Sequence, residues 1–549
     1  MSVTGRFYIT TAIPYVNAAP HLGHALELVQ TDVLARHRRL RGQPVRFLTG
    51  TDDNALKNVT AAREAGVEVA RFVRDNAERF AALREPLALS FDDFIRTSSD
   101  PRHAAGVTRL WRECAVAGDF YCKGYEGLYC RGCEQFYNPA ELVDGLCPEH
   151  RVAPEVVAEE NWFFRLSRYA EPVLAALESG AVRVEPPARR NEVLAFVRAG
   201  LADFSVSRPA ARAGGWGIPV PDDPAQVVYV WWDALTNYVT ALGYATDDPA
   251  YRQWWVESAE RVHVIGKGIV RFHAVYWLAL LLSAGQPLPT AIFVHDYLTV
   301  DGAKLSKTAG NAVDPALLVA GYGVDAVRWW LLREVSRVGD TDFTVDRLVN
   351  RANGDLAHAL GNLVNRILTL VHRYRDGRVA APGGSTSGTA LAGALSELPG
   401  RIDRALDDFD FRSATGALSS VVDEGNRLVD AERPWELAGA QRSGDATAAG
   451  RLDDVLALLV HACRVVAIEL EPFIPTGAAR LRSQLLSGDR VGRPEPAFPR
   501  LDPVLSVAAA TVPEPLNADG ASDEPRDEQP ARGHPDVDRP GRPRSRAGG

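Results

Sequence analysis

The chain has 549 residues, 46% hydrophobic and 24% charged; at ~150 residues per domain this globular composition predicts three or four domains and excludes a single small module. Lys and Arg total 61 against 70 Asp and Glu, and the net charge of -9 excludes a duplex-coating basic protein, leaving nucleic-acid contact to local patches. Six cysteines in this length exclude a disulfide-rich secreted scaffold.

The opening MSVTGRFYITTAIPY has no basic stretch leading into a long apolar run, so no signal peptide is expected. Residues 7–11 read as a strand, 14–20 as a turn, and Leu22, Leu26, Val29 and Val33 recur at helical spacing before a second buried strand at 45–48. Strand, helix and strand in succession form a βαβ unit and imply a parallel sheet. Helical segments follow over about 55–84, then a strand near Phe94 and a helix ending near Ala117. Residues 121–224 break into short pieces with prolines, aromatic clusters and all the cysteine spacing, which reads as an insertion. The alternation resumes with a strand at 227–231, a helix from Ala234, a strand at 262–265, a helix at 269–283 and a strand at 291–294, the second half of the same sheet.

The longest apolar run, 275–282, is well short of the ~20 residues that span a bilayer, so no membrane contact and a cytoplasmic location are expected. Residues 345–486 carry no strand pattern, and stretches such as 453–470 are apolar at helical spacing, the mark of a helical bundle. After Leu516 the only aliphatic residue larger than alanine is Val537, so the tail is expected to be disordered. The domain boundaries are therefore 1–120 and 225–344 for two halves of an α/β sheet domain, 121–224 for the insertion, 345–490 for the bundle and 503–549 for the tail.

Three strings carry chemistry. Cys130, Cys133, Cys147 and His150 are spaced C-x2-C, thirteen residues, C-x2-H. Two tight turns each offering a ligand pair close a tetrahedral, structural zinc site, while Cys114, Cys122 and Cys463 read as buried small hydrophobes. His21, Leu22, Gly23 and His24 follow the first strand and its turn. Two imidazoles three apart on a first helical turn suit a polyphosphate, with the small Gly23 letting a ligand approach the backbone. Alone, the string reads equally well as a pair of core or surface histidines. Lys304, Leu305, Ser306, Lys307 and Thr308, after Asp301 and Gly302, can close two lysines over a phosphate, though alone they read as a solvated loop.

Together, HLGH after the first strand, KLSKT after the last and a knuckle between the sheet halves resemble the class I aminoacyl-tRNA synthetases, and among them the methionyl family, over roughly residues 5–490. The resemblance implies a Rossmann-like catalytic domain split by the zinc-knuckle insertion and followed by an anticodon-binding bundle. It implies His21, His24, Lys304 and Lys307 as catalytic residues, with Gly23 and Gly266 joining them at ATP. For the amino acid it implies Ile13 and Tyr15 in AIPYVN, Asp52 on the substrate ammonium, Trp231, Leu235 and Tyr238 in YVWWDALTNY, and Ile269, His273 and Trp277 in GKGIVRFHAVYW. An aromatic pocket suits a thioether in any case. Asn362, Arg366 and Trp435 match positions that read the anticodon, where a tryptophan face can stack a loop base. The leucyl, isoleucyl and valyl relatives carry a much larger insertion, which favours methionyl specificity.

The implied partners are methionine, ATP with Mg2+, and tRNA(Met), with one zinc per chain; the separate C-terminal tRNA-binding module of some members is missing, which favours a monomer. Arg36, Arg38, Arg39, Arg41 and Arg46, and Arg189 and Arg190, are clusters able to contact tRNA phosphates, or a solvated helix face. Two positions depart from the family pattern. Thr51-Asp52-Asp53-Asn54-Ala55 stands for TDEHG, and Gly266-Lys267-Gly268 stands for GKD, losing a histidine and a carboxylate. These keep two alternatives open: a catalytically impaired tRNA-binding paralogue, or a ligase for a methionine-like amino acid.

Overall fold

The computed structural model describes residues 5–503 apart from 149–150, 306–310, 381–385, 387 and 486–487; the tail beyond residue 503 lies outside the described residues. A six-stranded parallel sheet runs in the order Asp93–Arg96, Val45–Thr51, Phe7–Thr11, Glu260–Gly266, Ala291–His295 and Arg183–Glu185. All five residues of Phe7–Thr11 are buried, as a central strand covered on both faces requires. The helix Leu22–Leu40 buries Leu22, Leu26, Val29 and Val33 on one stripe, the spacing seen in the sequence. The strand order reverses between Phe7–Thr11 and Glu260–Gly266. In sheets of this kind the ligand crevice opens there, at the carboxyl ends of the strands.

Four expectations fail locally. The strand expected at 227–231 ends earlier, at Asp223–Val228, and pairs antiparallel with Ser207–Pro209 and Pro219–Val220 rather than joining the parallel sheet. The next helix begins at Val230, not Ala234, so Trp231 stands in its first turn. That helix, Val230–Thr240, is buried almost all round, and a run without a polar face hides its period from the sequence. Inside the presumed insertion, Arg183–Glu185 pairs parallel with Ala291–His295 and completes the sheet, a three-residue edge too short to show in the pattern. Cys114 and Cys463 are buried as expected, but Cys122 is exposed, on the solvated side of the antiparallel strand Phe120–Cys130.

From Val345 to residue 485 the described chain is helical, with Asn362–Arg375, Ala390–Asp407, Phe411–Glu432 and Ala446–Glu469 as the long members. One apolar core runs unbroken from Phe7 and Val29 through Trp330 to Leu418 and Leu459, so the bundle packs on the sheet domain. Arg328, fully buried, binds the junction: its Nη2 donates to Asp32 Oδ2 (2.8 Å) and to the carbonyl of Pro472 (3.0 Å), Nε to that of Phe473 (2.7 Å) and Nη1 to that of Leu87 (2.9 Å). Among the described residues no helix is long and apolar enough to cross a membrane.

Candidate active site

His21 is the N-cap of helix Leu22–Leu40, and the two histidines cap each other's turn. His21 Nδ1 accepts from the Gly23 amide (3.1 Å), His24 Nδ1 accepts from the His21 amide (3.0 Å), and the rings stack at 3.9 Å. A ring nitrogen that accepts carries no proton, so each neutral imidazole keeps its proton on Nε2. Burial, then the neighbouring His21 and His295, push the His24 pKa well below the ordinary histidine value. The space above Gly23 is taken by the His21 ring rather than left open: a Cβ there would sit 2.9 Å from Cε1 and 3.0 Å from Nδ1. The glycine is the condition for the cap.

Asp52 follows the end of strand Val45–Thr51, and its amide donates to the Pro14 carbonyl at 2.9 Å, which ties it to the Ile13 and Tyr15 turn. It is buried, its Oδ1 has no hydrogen-bond partner, and burial together with Asp233, Glu134 and Asp53 raises its pKa well above the carboxylate range. Beside it Tyr15 meets Trp231 edge-on at 6.3 Å, and Trp231 stacks on Phe272 at 3.8 Å. Leu235, Tyr238, His273 and Trp277 are buried in the same core, while Ile13, Trp231 and Ile269 are only partly covered. Tyr238 Oη and His273 Nε2 lie 2.7 Å apart, and His273 Nδ1 is 3.0 Å from the Ile269 carbonyl; burial lowers the His273 pKa to about 4. His273 sits in a π-turn, Phe272–Tyr276, a distortion common at functional sites.

Several supports of the site had no signal along the chain. His263 joins Thr10 Oγ1 (2.8 Å) to the Trp277 indole (3.2 Å), and Asp233 takes Asn54 Nδ2 at 2.7 Å and His103 on its other oxygen. Asn54 is thus held by the helix that carries Trp231. Glu27, one turn beyond His24, lies 2.9 Å from His295 Nε2 at the end of strand Ala291–His295. Partners this far apart in sequence leave no local signal.

Lys304 lies in a two-residue strand, Ala303–Lys304, that returns on Leu298–Val300 through a turn with Asp301 and Gly302 both at positive φ. Asp342 Oδ1 ties the hairpin, accepting from Thr299 Oγ1 (2.8 Å) and the Gly302 amide (3.0 Å). Of Lys304 only the backbone is described, and Lys307 lies outside the described residues. The Leu22 amide donates to the Val313 carbonyl at 2.8 Å, joining the first turn of HLGH to the segment that follows the KLSKT loop. Between them, after strand Glu260–Gly266, Lys267 Nζ pairs with Asp340 Oδ1 at 2.5 Å.

In the knuckle, the thiols of Cys130, Cys133 and Cys147 lie within 4.8 Å of one another. That spacing and donor set fit tetrahedral zinc, whose thiolates sit ~3.8 Å apart at a Zn–S distance of ~2.3 Å. His150 lies outside the described residues. The loop after Cys133 reaches the pocket: the Trp231 indole donates to the Cys133 carbonyl (3.4 Å), and Glu134 accepts from the Lys57 amide (2.6 Å) while its carbonyl takes the Tyr229 hydroxyl (2.6 Å).

In the bundle, Asn362 and Arg366 stand one turn apart on Asn362–Arg375, and the Arg366 guanidinium lies over the Trp435 ring at 5.2 Å. Trp435 is 38% exposed. The arginines near the start are not free for phosphate. Arg36 pairs with Asp32 and Glu471, Arg38 with Glu260 and Asp407, Arg39 with Asp92, Arg41 with Asp403 and Glu469, and Arg46 with Asp93. Most of these carboxylates come from other elements, so the cluster fastens the bundle to the sheet. Arg189 pairs with Asp296 and Glu192, and Arg190 donates to carbonyls at 177 and 178.

A histidine-capped helix at the switch point, joined through Leu22 and Val313 to the segment after the Lys304 hairpin, and a cysteine knuckle inserted between the sheet halves define a class I aminoacyl-tRNA synthetase. The family model described as tRNA synthetases class I (M) matches residues 7–153 and 150–368. A methionine–tRNA ligase of Caldanaerobacter subterraneus is 39% identical over 522 residues, covering 92% of this chain and 80% of that protein; one of Brucella suis is 40% identical over 517 residues, covering 90% and 98%. The Mycobacterium tuberculosis methionyl-tRNA synthetase in complex with methionyl-adenylate superposes with a TM-score of 0.85 at 39% identity, covering 90% of this chain and all of that one. The chain belongs to the methionyl-tRNA synthetase family.

Proposed function

We infer that the chain is a methionine–tRNA ligase: it activates methionine with ATP to methionyl-adenylate and transfers the methionyl group to the 3′ end of tRNA(Met). The observation that carries this reading is the orphaned Asp52 Oδ1, one oxygen of a buried carboxyl left without a hydrogen bond beside Tyr15 of the aromatic pocket. Asp52 would take the substrate ammonium, and Tyr15, Trp231 and the wall of Leu235, Tyr238, Ile269, His273 and Trp277 would surround the thioether. The substrate carboxylate is already a nucleophile at neutral pH. It attacks the α-phosphorus of ATP and pyrophosphate leaves, so no general base is needed; the tRNA ribose hydroxyl then attacks the anhydride carbonyl and AMP leaves.

Catalysis is therefore positioning and charge stabilisation. His21 and His24, with protons on Nε2, would donate to phosphate oxygens as neutral groups; Lys304 and Lys307 would supply the positive charge, with Gly23 and Gly266 at the nucleotide. Mg2+ bound with ATP would neutralise the departing pyrophosphate. Zinc on Cys130, Cys133, Cys147 and His150 would close the knuckle and so fix the Cys133 carbonyl against Trp231. Asn362, Arg366 and Trp435 would read the anticodon. The enzyme would work in the cytoplasm as a monomer.

Exchange of labelled pyrophosphate into ATP across a panel of amino acids tests the reading. Methionine-dependent exchange is expected, falling at least ~100-fold in Lys304→Ala with Lys307→Ala. No exchange with any amino acid would refute the ligase and, with tRNA affinity retained, establish the impaired paralogue; preference for another amino acid would establish the ligase of methionine-like specificity. The bond from Asn54 to Asp233 favours an intact site over the first of these.

A further inference from the structure

A cleft of about 600 Å3 opens between the end of the sheet domain and the bundle, away from the site above, and four arginines line it: Arg333, Arg337, Arg401 and Arg412, against the single carboxylate of Asp410. Resting on the ligase reading, we propose that this cleft binds backbone phosphates of the tRNA stem. A second cleft, of about 460 Å3, also holds arginines, but there Arg38 pairs with Glu260 and Asp407 and Arg183 lies 3.8 Å from Asp408, leaving little field.

In the basic cleft Asp410 is spent on capping helix Phe411–Glu432, accepting from the Ser413 amide (2.9 Å) and hydroxyl (2.7 Å). Arg333 Nε lies 3.6 Å from Asp355 and its Nη1 donates to the Arg412 carbonyl (3.3 Å), while Arg337 holds Glu185 at 3.0 Å through Nη2. Among the described residues neither Arg401 nor Arg412 has a carboxylate partner. Forked guanidinium groups around the N-terminus of a helix are the arrangement that receives a phosphodiester.

The location selects a nucleic acid over a small anion. Helix Phe411–Glu432 runs from this cleft to Trp435, about 30 Å away at 1.5 Å per residue, so one stem lying along it would meet both. On the other side, the segment from Arg337 is stitched to the catalytic cleft: the Gly339 amide bonds Asp296 (2.6 Å), Asp340 holds Lys267, and Asp342 holds the KLSKT hairpin. A ligand seated on Arg337 and Arg412 therefore spans from the anticodon reader towards the nucleotide.

The test uses the full chain with Arg401→Gln and Arg412→Gln together, and Arg401→Lys with Arg412→Lys as the control that keeps charge. Methionine-accepting tRNA is titrated at several salt concentrations, inorganic pyrophosphate is titrated alone, and pyrophosphate exchange is measured without tRNA. We expect the glutamine variant to lose at least ~10-fold in tRNA affinity, with the slope of log affinity on log salt smaller by ~2, the lysine variant to restore most of both, and exchange to be unchanged. Unchanged affinity and slope would overturn the proposal, as would loss of pyrophosphate binding with tRNA affinity intact. If the native chain exchanges with no amino acid while tRNA binding still depends on these arginines, the ligase reading falls and the cleft assignment stands.

Discussion

Replacing Gly23 by alanine sets two well-characterised effects against each other. By helix propensity alone Gly23→Ala in the first turn of Leu22–Leu40 should stabilise the helix by up to ~1 kcal/mol. The new methyl, however, would stand 2.9 Å from His21 Cε1 and 3.0 Å from Nδ1, inside contact distance of a ring that is itself the cap. The ring must swing away, giving up the bond from the Gly23 amide, worth ~1 kcal/mol, and the 3.9 Å stack on His24. The two effects nearly cancel in stability, whereas a donor displaced by ~1 Å from a developing charge costs ~100-fold in rate. The expected result is a thermal midpoint close to native with methionine-dependent pyrophosphate exchange at least ~100-fold slower. Exchange within about threefold of native would refute the argument that the glycine exists to seat the His21 ring.

Three further predictions follow from buried charge. Asp52→Asn should raise the methionine KM at least ~100-fold while making the ligand-free protein more stable at pH 7. The folded-state pKa of Asp52 is raised, so the native protein holds that proton more tightly than the unfolded chain, and stability falls as pH rises above the unfolded value of about 4; the amide removes this loss. Thermal scans from pH 4 to 8 of both proteins check the sign, and an Asp52→Asn protein less stable at pH 7 would contradict it. Because His24 is held well below its ordinary pKa, exchange should show no acid limb near ~6.5; a limb there that disappears in His24→Asn would argue against a neutral donor. Arg328→Met should strand three carbonyls and weaken the hold on Asp32, costing ~3 kcal/mol; an unchanged urea midpoint would contradict its role in joining bundle to sheet.

Much of this molecule was legible in the chain because its signals are local. HLGH, KLSKT and the cysteine spacing each lie within a turn or two, where side-chain chemistry and backbone geometry are coupled directly, and the alternation of short apolar runs with 3.6-residue periods disclosed a parallel sheet followed by helices. The errors fell where burial erased the period, as in Val230–Thr240, or where an element was too short to have one, as in Arg183–Glu185. The arginines near the start show the limit most clearly. A run of like charges states a field, but not what neutralises it, and the carboxylates that do so are as distant as Asp403 and Glu469.

By itself, the sequence determined the order of elements, the family and the residues of the two signature strings, since these depend on neighbours along the chain. Only the tertiary structure decided that the His21 ring fills the space over Gly23, that Asp52 Oδ1 is left without a hydrogen bond, and that the arginines near the start are paired with carboxylates while Arg401 and Arg412 line a cleft. These depend on side-chain placement and on burial by distant parts of the chain, and the desolvation and pairing that set a buried charge's energy exist only once the chain has closed around it.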